Sequence, residues 1–339
     1  MPITVNNDSQ NLNEESKIEN TNLQDPQIAP SIDIEEPKIE GTNLHESPVL
    51  PSIDIDEPVS TETEKVPPIA GLSSTEKNDP NSIAVTVSDP NTPIVILYGP
   101  PSCGKTMTLV RMTRFLVSQG FTVVPEKTFR PTYDENFKSL CENFDQMINS
   151  NNAAASTSNM SFMLVKVLKD GKPVCQILEA PGEYYFSGDP NQPYPAYVHK
   201  IINSTNRKVW AIMIEPNWSD STPRANYVTR IHKLKSMMAP RDKVVFVYNK
   251  IDRTPFVYGV GNVNTNEAIK DVQNLYRNIF VPFENKNPIT KFFTKYNCEF
   301  VPFMTGSYSK TLTGELMYTE GHFVYAQKLW NAIHKLIKG

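Results

Sequence analysis

From Thr92 to the C-terminus, runs of consecutive apolar residues take turns with stretches in which apolar positions recur three or four apart. The first kind of pattern predicts buried strands and the second amphipathic helices. Thr92-Pro-Ile-Val-Ile-Leu-Tyr98 reads as a buried strand, then a loop over Gly99 to Lys105, then a helix carrying Leu109, Met112, Phe115 and Leu116. Phe121 to Val124 predicts a short strand and about Asp134 to Ile148 a helix, followed by the polar loop Ser150 to Asn159. Ser161 to Leu168 and Pro173 to Leu178, joined by Lys169-Asp-Gly-Lys172, predict a hairpin with an Asp-Gly turn. Lys208 to Ile214 and Lys243 to Tyr248 are further buried strands flanking a helix around Ala225 to Met237. Helices over Asn266 to Ile279 and His322 to Ile337, with a strand at Phe300 to Met304 between them, complete the set. The alternation predicts an α/β layered fold with a mostly parallel sheet and helices on both faces.

The first 90 residues show no such periodicity. They contain no aromatic residue, cysteine or arginine, whereas all 33 aromatics lie beyond them. Lys17 to Pro37 recurs as Lys38 to Pro58, a tandem duplication of a proline-containing acidic unit 21 residues long. Two polar copies are too few to stack into a solenoid, so a disordered arm over 1–90 is expected, with the folded body over 91–339. Ser-Ile-Asp-Ile-(Glu/Asp)-Glu-Pro within each copy alternates apolar and acidic residues, as a peptide adding to a sheet edge would, although a drifted repeat without a partner is the favoured reading.

Charge divides along the same line. The arm carries 18 acidic and 4 basic residues, and the rest of the chain 19 acidic and 29 basic, so the overall −4 conceals two opposite balances. That asymmetry suits masking of the body, a body that meets phosphates or acidic surfaces, or a solubilising tail. The four cysteines show no metal-ligand spacing, and no export signal or apolar run of membrane-spanning length is present. A cytoplasmic protein without stable membrane insertion is expected. The five histidines show no ligating pattern, and Lys233, Lys235 and Arg241 read as a solvated helix end, so no nucleic-acid partner is expected.

Two motifs carry chemistry. Gly99-Pro-Pro-Ser-Cys-Gly-Lys-Thr106 fits GxxxxGK[ST] and lies between a buried strand and a helix N-terminus. Loop N–H groups, including those of Ser102, Cys103 and Gly104, suit a polyphosphate, and Gly99 and Gly104 permit the close turn. Lys105 is placed to reach the β- and γ-phosphates and Thr106 to ligate Mg²⁺. Asn249-Lys-Ile-Asp252 follows the strand ending at Tyr248, where a base can lie at the carboxyl end of a parallel sheet. A carboxylate at Asp252 accepts from N1–H and N2–H of guanine, a pair of donors that adenine lacks; Asn249 supports the acceptor edge and the stem of Lys250 covers the base.

On these motifs the body resembles P-loop GTPases of the TRAFAC class, the Ras-like and translation-factor-like G domains, over residues 93 to 338. The resemblance implies a G-domain sheet with one antiparallel hairpin strand, GTP and GDP as ligands with Mg²⁺, and a protein effector or regulator at the switch regions. Leu178-Glu-Ala-Pro-Gly182 resembles the DxxG motif with Glu179 in place of the Asp. It implies Glu179 as a metal-side acid, Gly182 as a γ-phosphate donor, and Glu183 at the water-orienting position. There a carboxylate is repelled by the γ-phosphate, which disfavours fast hydrolysis. Thr132, with Thr128 second, is the implied switch I threonine, and Arg130 is close enough in sequence to act as an arginine finger in cis, a solvent-facing loop arginine being the other reading. Phe303-Met-Thr-Gly-Ser307 resembles the last base-contacting loop, with Ser307 its best match. Tyr184-Tyr-Phe186 reads as a partner surface or as core packing. The stretch from Phe129 to Met160 and the insertion Thr254 to Thr265 exceed a compact G domain.

Two function classes follow: a GTP-hydrolysing switch with a slow intrinsic rate, and a GTP-binding scaffold with little or no turnover. A P-loop kinase or ATPase would leave Asn249-Lys-Ile-Asp252 without a purpose. Oligomeric state is not expressed in the sequence.

Overall fold

The computed structural model describes residues 72–149, 162–186, 189–216, 218–288, 295–310 and 316–339. These all belong to the compact unit Glu62–Gly339. The tandem repeat and the loop from Ser150 to Asn159 lie outside the described residues.

Strand β1 (Ile94–Tyr98) is buried at all five positions, as its unbroken apolar run requires of a strand covered on both faces. It sits near the middle of a seven-stranded sheet of order β2-β3-β4-β1-β5-β6-β9. β1 pairs in parallel with β4 (Lys172–Glu179) and β5 (Lys208–Ile214). Beyond β5, β6 (Lys243–Tyr248) and β9 (Glu299–Pro302) extend the sheet in parallel. β3 (Met163–Lys169) is antiparallel to both β4 and edge strand β2 (Thr122–Pro125). β3 alone therefore runs against the rest, and the carboxyl ends of β1, β2, β4, β5, β6 and β9 share one edge of the sheet. The β3–β4 turn puts Asp170 at φ 51° and Gly171 at φ 73°, the left-handed pair that an Asp-Gly hairpin supplies.

Helix α1 (Ser74–Asn78) precedes β1; α2 (Lys105–Ser118) follows it. α3 (Glu135–Glu142) and α4 (Phe144–Asn149) replace the single helix expected over 134–148. The break is at Asn143, whose side-chain amide donates to Ser139 O (3.0 Å), the competition with the helix ladder that an asparagine offers. α5 (Gly182–Tyr185) and α6 (Ala196–Ile202) lie between β4 and β5. α7 (Ser221–Met237) lies between β5 and β6, and α8 (Thr265–Leu275) between β6 and β9. The last helix, α9 (Phe323–Lys338), packs on α2, β5, β6 and β9. Two small hairpins were not expected: β7 (Val257–Gly259) with β8 (Asn262–Val263), inside the insertion after residue 252, and β10 (Gly306–Lys310) with β11 (Leu316–Glu320).

The boundary near Asn91 is corrected. Leu72, Ile83 and Val85 are buried in the main core, and α1 opens with a Ser73/Glu76 capping box, so the packed body already includes residues 72–90. A segment without aromatics still seats itself on three aliphatic side chains, each contributing roughly 1.5–3 kcal/mol when fully buried.

Candidate nucleotide-binding site

The loop Gly99–Gly104 joins β1 to α2, and its conformation explains its residue types. Gly104, the residue before α2, has φ 91°, and a Cβ there would lie 2.4 Å from Asn249 Nδ2. A Cβ at Gly99 would lie 2.6 Å from Cys103 Sγ and 2.9 Å from Met213 Cβ. Ser102 is also left-handed, at φ 61°. Lys105 is 5% exposed and donates to Pro100 O (2.8 Å), so its ammonium folds back over the loop.

Thr106 Oγ1 donates to Glu179 Oε1 (2.9 Å) at the end of β4, where Glu179 is in register with Leu97. Burial pushes the Glu179 carboxyl up to about 8, against the pull of the Lys105 charge and the Thr106 hydrogen bond; the Glu183 charge adds to the rise. Glu179 Oε2 is buried and has no hydrogen-bond partner among the described residues. Gly182 is packed against the same loop: a Cβ there would lie 2.5 Å from Pro100 C and Pro101 N and 2.6 Å from Lys105 Nζ. Glu183 is exposed on the next position.

From the other side of the sheet centre, β6 delivers Asn249. Its N–H donates to Ile214 O (2.8 Å) and its side-chain Nδ2 to Cys103 O (3.0 Å), which ties the two motif loops together. Asn249 Oδ1 is buried without a partner among the described residues. Lys250, at φ 57°, forms an ion pair with Glu215 just past the end of β5. Asp252 stands exposed on a 3₁₀ turn, Ile251–Arg253, whose first N–H reaches Phe303 O (3.2 Å) beyond β9. The arrangement brings Gly99, Ser102, Cys103, Gly104, Lys105, Thr106, Glu179, Gly182 and Asn249 to one place, with Lys250 and Asp252 on the adjoining turn.

An aromatic layer backs this site. Tyr98 at the end of β1 meets Tyr185 (ring centroids 5.1 Å), stacks on Tyr227 of α7 (6.0 Å) and shares a hydrogen bond with Tyr194 (2.8 Å). Arg230 is fully buried; its Nε donates to Tyr185 O (3.0 Å), its Nη1 to Gln192 O, and its guanidinium lies 3.9 Å from the Tyr194 ring centroid. One arginine thus grips both ends of the stretch after Gly182. Tyr185 is core, Tyr184 half-buried, and Phe186 packs on Trp218 (5.5 Å).

Three expectations fail here. Arg130 is neither a finger nor solvent-facing. It is buried, with Nε donating to Asp134 (2.9 Å), Nη1 to Ala84 O (2.8 Å) and Nη2 to Glu76 (2.7 Å), so its donors are engaged by residues outside the Gly99–Thr106 loop. Thr132 is exposed in a turn and no contact joins it to Thr106; Thr128 Oγ1 donates to Glu126 (2.7 Å). Both follow β2, which stands three strands from β1 in the sheet order, too far for a short side chain to span. Ser307 is exposed within the β10–β11 ladder, opposite Thr319, rather than in a free loop. Glu215 and Arg230 were not singled out by sequence; Glu215 had a signal, a carboxylate at the carboxyl end of a central strand, and Arg230 had none.

No family model matches this chain, and no curated protein does. Solved structures do. The Roco2 RocCORdC structure of Methanosarcina barkeri bound to GDP is 13% identical, with 76% of this chain and 52% of that one covered and a TM-score of 0.31. Translation elongation factor SelB of Methanococcus maripaludis with the GTP analogue GppNHp is 11% identical (74% and 34% covered, TM-score 0.32). The GTP-bound GTPase-like domain of S. cerevisiae Ski7 is 15% identical (73% and 50% covered, TM-score 0.36). The chain spans about half or less of the length of these proteins. Its own sheet, mostly parallel with a single reversed strand next to β4 and the Gly99–Gly104 loop after β1, is consistent with a G-domain fold. Among the described residues no helix is long and apolar enough to cross a membrane.

Proposed function

We propose that this chain is a cytoplasmic guanine-nucleotide-binding protein that holds GTP or GDP with Mg²⁺ on the Gly99–Thr106 loop and hydrolyses GTP slowly. The observation that carries the reading is the bond from Asn249 Nδ2 to Cys103 O, which joins the phosphate loop to the Asn249–Asp252 turn so that one ligand spans both. Loop N–H groups, the α2 N-terminus and Lys105 receive the phosphates. Asp252 accepts from guanine, Asn249 Oδ1 is an acceptor still to be satisfied, and Glu215 steadies the Lys250 stem over the base.

The residues present also fit Mg²⁺. A buried carboxylate oxygen without a partner, beside a threonine hydroxyl, is an incomplete oxygen set for a hard cation. Thr106 and Glu179 would hold the ion, which would supply charge neutralisation at the phosphate oxygens. Slow turnover follows from the exposed Glu183 carboxylate next to Gly182 and from an Arg130 committed elsewhere.

The engagement of Arg130 also favours a second reading, a loaded binding module with no turnover, in which the nucleotide supports a surface for an effector or regulator. Single-turnover hydrolysis of GTP, run beside a measurement of nucleotide bound to the purified protein, decides. Bound guanine nucleotide with slow cleavage is expected; cleavage indistinguishable from GTP in buffer establishes the second reading, and an absence of guanine-nucleotide binding overturns both.

A further inference from the structure

We propose that residues 72–90 form a strap that fastens the segment carrying Arg130 to the segment following Gly182, and thereby governs how readily one wall of the nucleotide site opens. On one side, Thr86 N–H donates to Phe129 O (2.8 Å), Arg130 Nη1 to Ala84 O (2.8 Å), and Arg130 Nη2 pairs with Glu76 (2.7 Å). On the other, Asn81 Oδ1 accepts from Ala196 N–H (3.2 Å) at the start of α6, and Lys200 Nζ donates to Val85 O. The same short run therefore holds two segments that are more than sixty residues apart in sequence.

Its far end is anchored to the sheet. Asp89 O accepts from Gln176 of β4 (3.2 Å) and from Asn206 before β5 (2.7 Å), while the Asp89 carboxylate takes the Thr92 hydroxyl (2.6 Å). Between α1 and β1 the strap joins no strand ladder. Three aliphatic anchors and polar bonds to the two segments hold it, and an element of that kind opens at a lower free energy than the sheet beneath it.

The link to the site is mechanical. Gly182 lies against Pro100 and Lys105, Tyr184 of the same short helix meets Tyr197 of α6, and the strap grips the start of α6 at Ala196. The two strapped segments also meet each other through rings: Phe162 touches both Phe129 (5.3 Å) and Tyr197 (5.4 Å), and Tyr197 touches Tyr184 (6.3 Å). Loosening the strap frees both segments together and lets Gly182 withdraw from the phosphate loop. For its nucleotide readout alone, the inference rests on the function proposed above.

The test uses the full chain and the double variant Glu76→Ala with Asn81→Ala, which removes a fastening on each side and leaves Leu72, Ile83 and Val85 in place. Backbone hydrogen exchange is followed over 126–137, 182–202 and the core strands β5 and β6, alongside release of a fluorescent GDP analogue chased by excess GDP. Exchange in both segments is expected to rise together by about tenfold, with β5 and β6 at parental rates and release about tenfold faster. Faster exchange confined to 72–90, or to only one of the two segments, overturns the strap. Should the double variant lose protection in β5 and β6, Glu76→Gln decides by the same criteria, because it keeps the side chain's shape and removes only its charge. A parent that binds no GDP analogue refutes the nucleotide reading while the exchange data still judge the strap.

Discussion

The two loops that flank the sheet centre and the two segments that face them are built on different principles. The Gly99–Thr106 loop and the Asn249–Asp252 turn each follow directly from a buried parallel strand, and they meet through one side-chain bond. The Phe129–Asp134 and Gly182–Tyr194 segments hang between elements and are positioned by partners from elsewhere: Glu76 and Ala84 for the first, Arg230 and Tyr98 for the second. A site residue that depends only on its own strand end is legible from spacing. One that depends on a distant partner is not, since the partner decides where the side chain goes.

Substitutions break this comparison at different points. The largest expected effect is at Asp252→Asn, where on the proposed function an amide donor would replace an acceptor of two guanine hydrogen bonds and xanthine's 2-oxo group would become the better match. The GTP-to-XTP preference, measured by competition binding, should shift by up to ~10⁴. A retained GTP preference would remove Asp252 from the base. On the proposed function, Lys105→Ala should weaken GTP binding by roughly 10³ with the thermal transition within a few degrees of the parent, because this lysine donates to Pro100 O on the loop rather than sitting in apolar packing. Equal affinity in calorimetric titration would end the phosphate-loop assignment.

The facing segments respond differently. Arg130→Ala leaves Glu76 and Asp134 without their shared cation and should cost about 3 kcal/mol of unfolding free energy in urea. Hydrolysis per bound GTP should not change; a loss of hydrolysis with unchanged stability would restore Arg130 to the chemistry. Glu183→Gln removes a charge beside the phosphates and offers an amide donor, so single-turnover hydrolysis should rise by roughly tenfold, equivalent to ~1.4 kcal/mol of barrier. A clear fall would instead make Glu183 a working base.

The smallest effect is in acid. The Glu76 carboxyl is held below its usual 4.5; burial opposes ionisation, but hydrogen bonds from Arg130 and Ser73 and the Arg130 charge outweigh it. A carboxyl depressed in the folded state contributes stability that is fully present above its unfolded pKa and is lost as pH falls through the folded one. The strap should therefore loosen below about pH 4.5, and urea midpoints of parent and Glu76→Gln should converge there while differing at pH 7. A constant difference across that range would remove Glu76 from the acid response.

Much of the fold was readable because β1, β5 and β6 are unbroken apolar runs and the Asp170-Gly171 turn fixes its own hairpin. The position of the Gly99–Gly104 loop between β1 and α2 was readable for the same local reason. The packing of residues 72–90 is not legible, because a segment without aromatics can still be anchored and three aliphatics at irregular spacing, Leu72, Ile83 and Val85, give no periodic signal. Arg130 was misread because its role depends on where a segment about fifty residues earlier comes to rest. Glu215 could have been found beside Lys250 by asking what stands at the end of the neighbouring strand. For Arg230, one cation on an otherwise ordinary helix, the sequence offers no clue to what it grips.

The chain has three tryptophans, and their placement has an optical consequence. Trp210 and Trp330 are buried, in the central sheet and against Phe121 respectively, where their surroundings stay constant as long as the core does. Trp218 is half-buried and wedged among Phe186, Tyr227 and Tyr276, with Phe186 belonging to the stretch that begins at Gly182. Any excursion of that stretch changes the packing and hydration of a single indole. The protein thus carries its own emission reporter, one that distinguishes movement next to the Gly99–Thr106 loop from unfolding of the body without an added label.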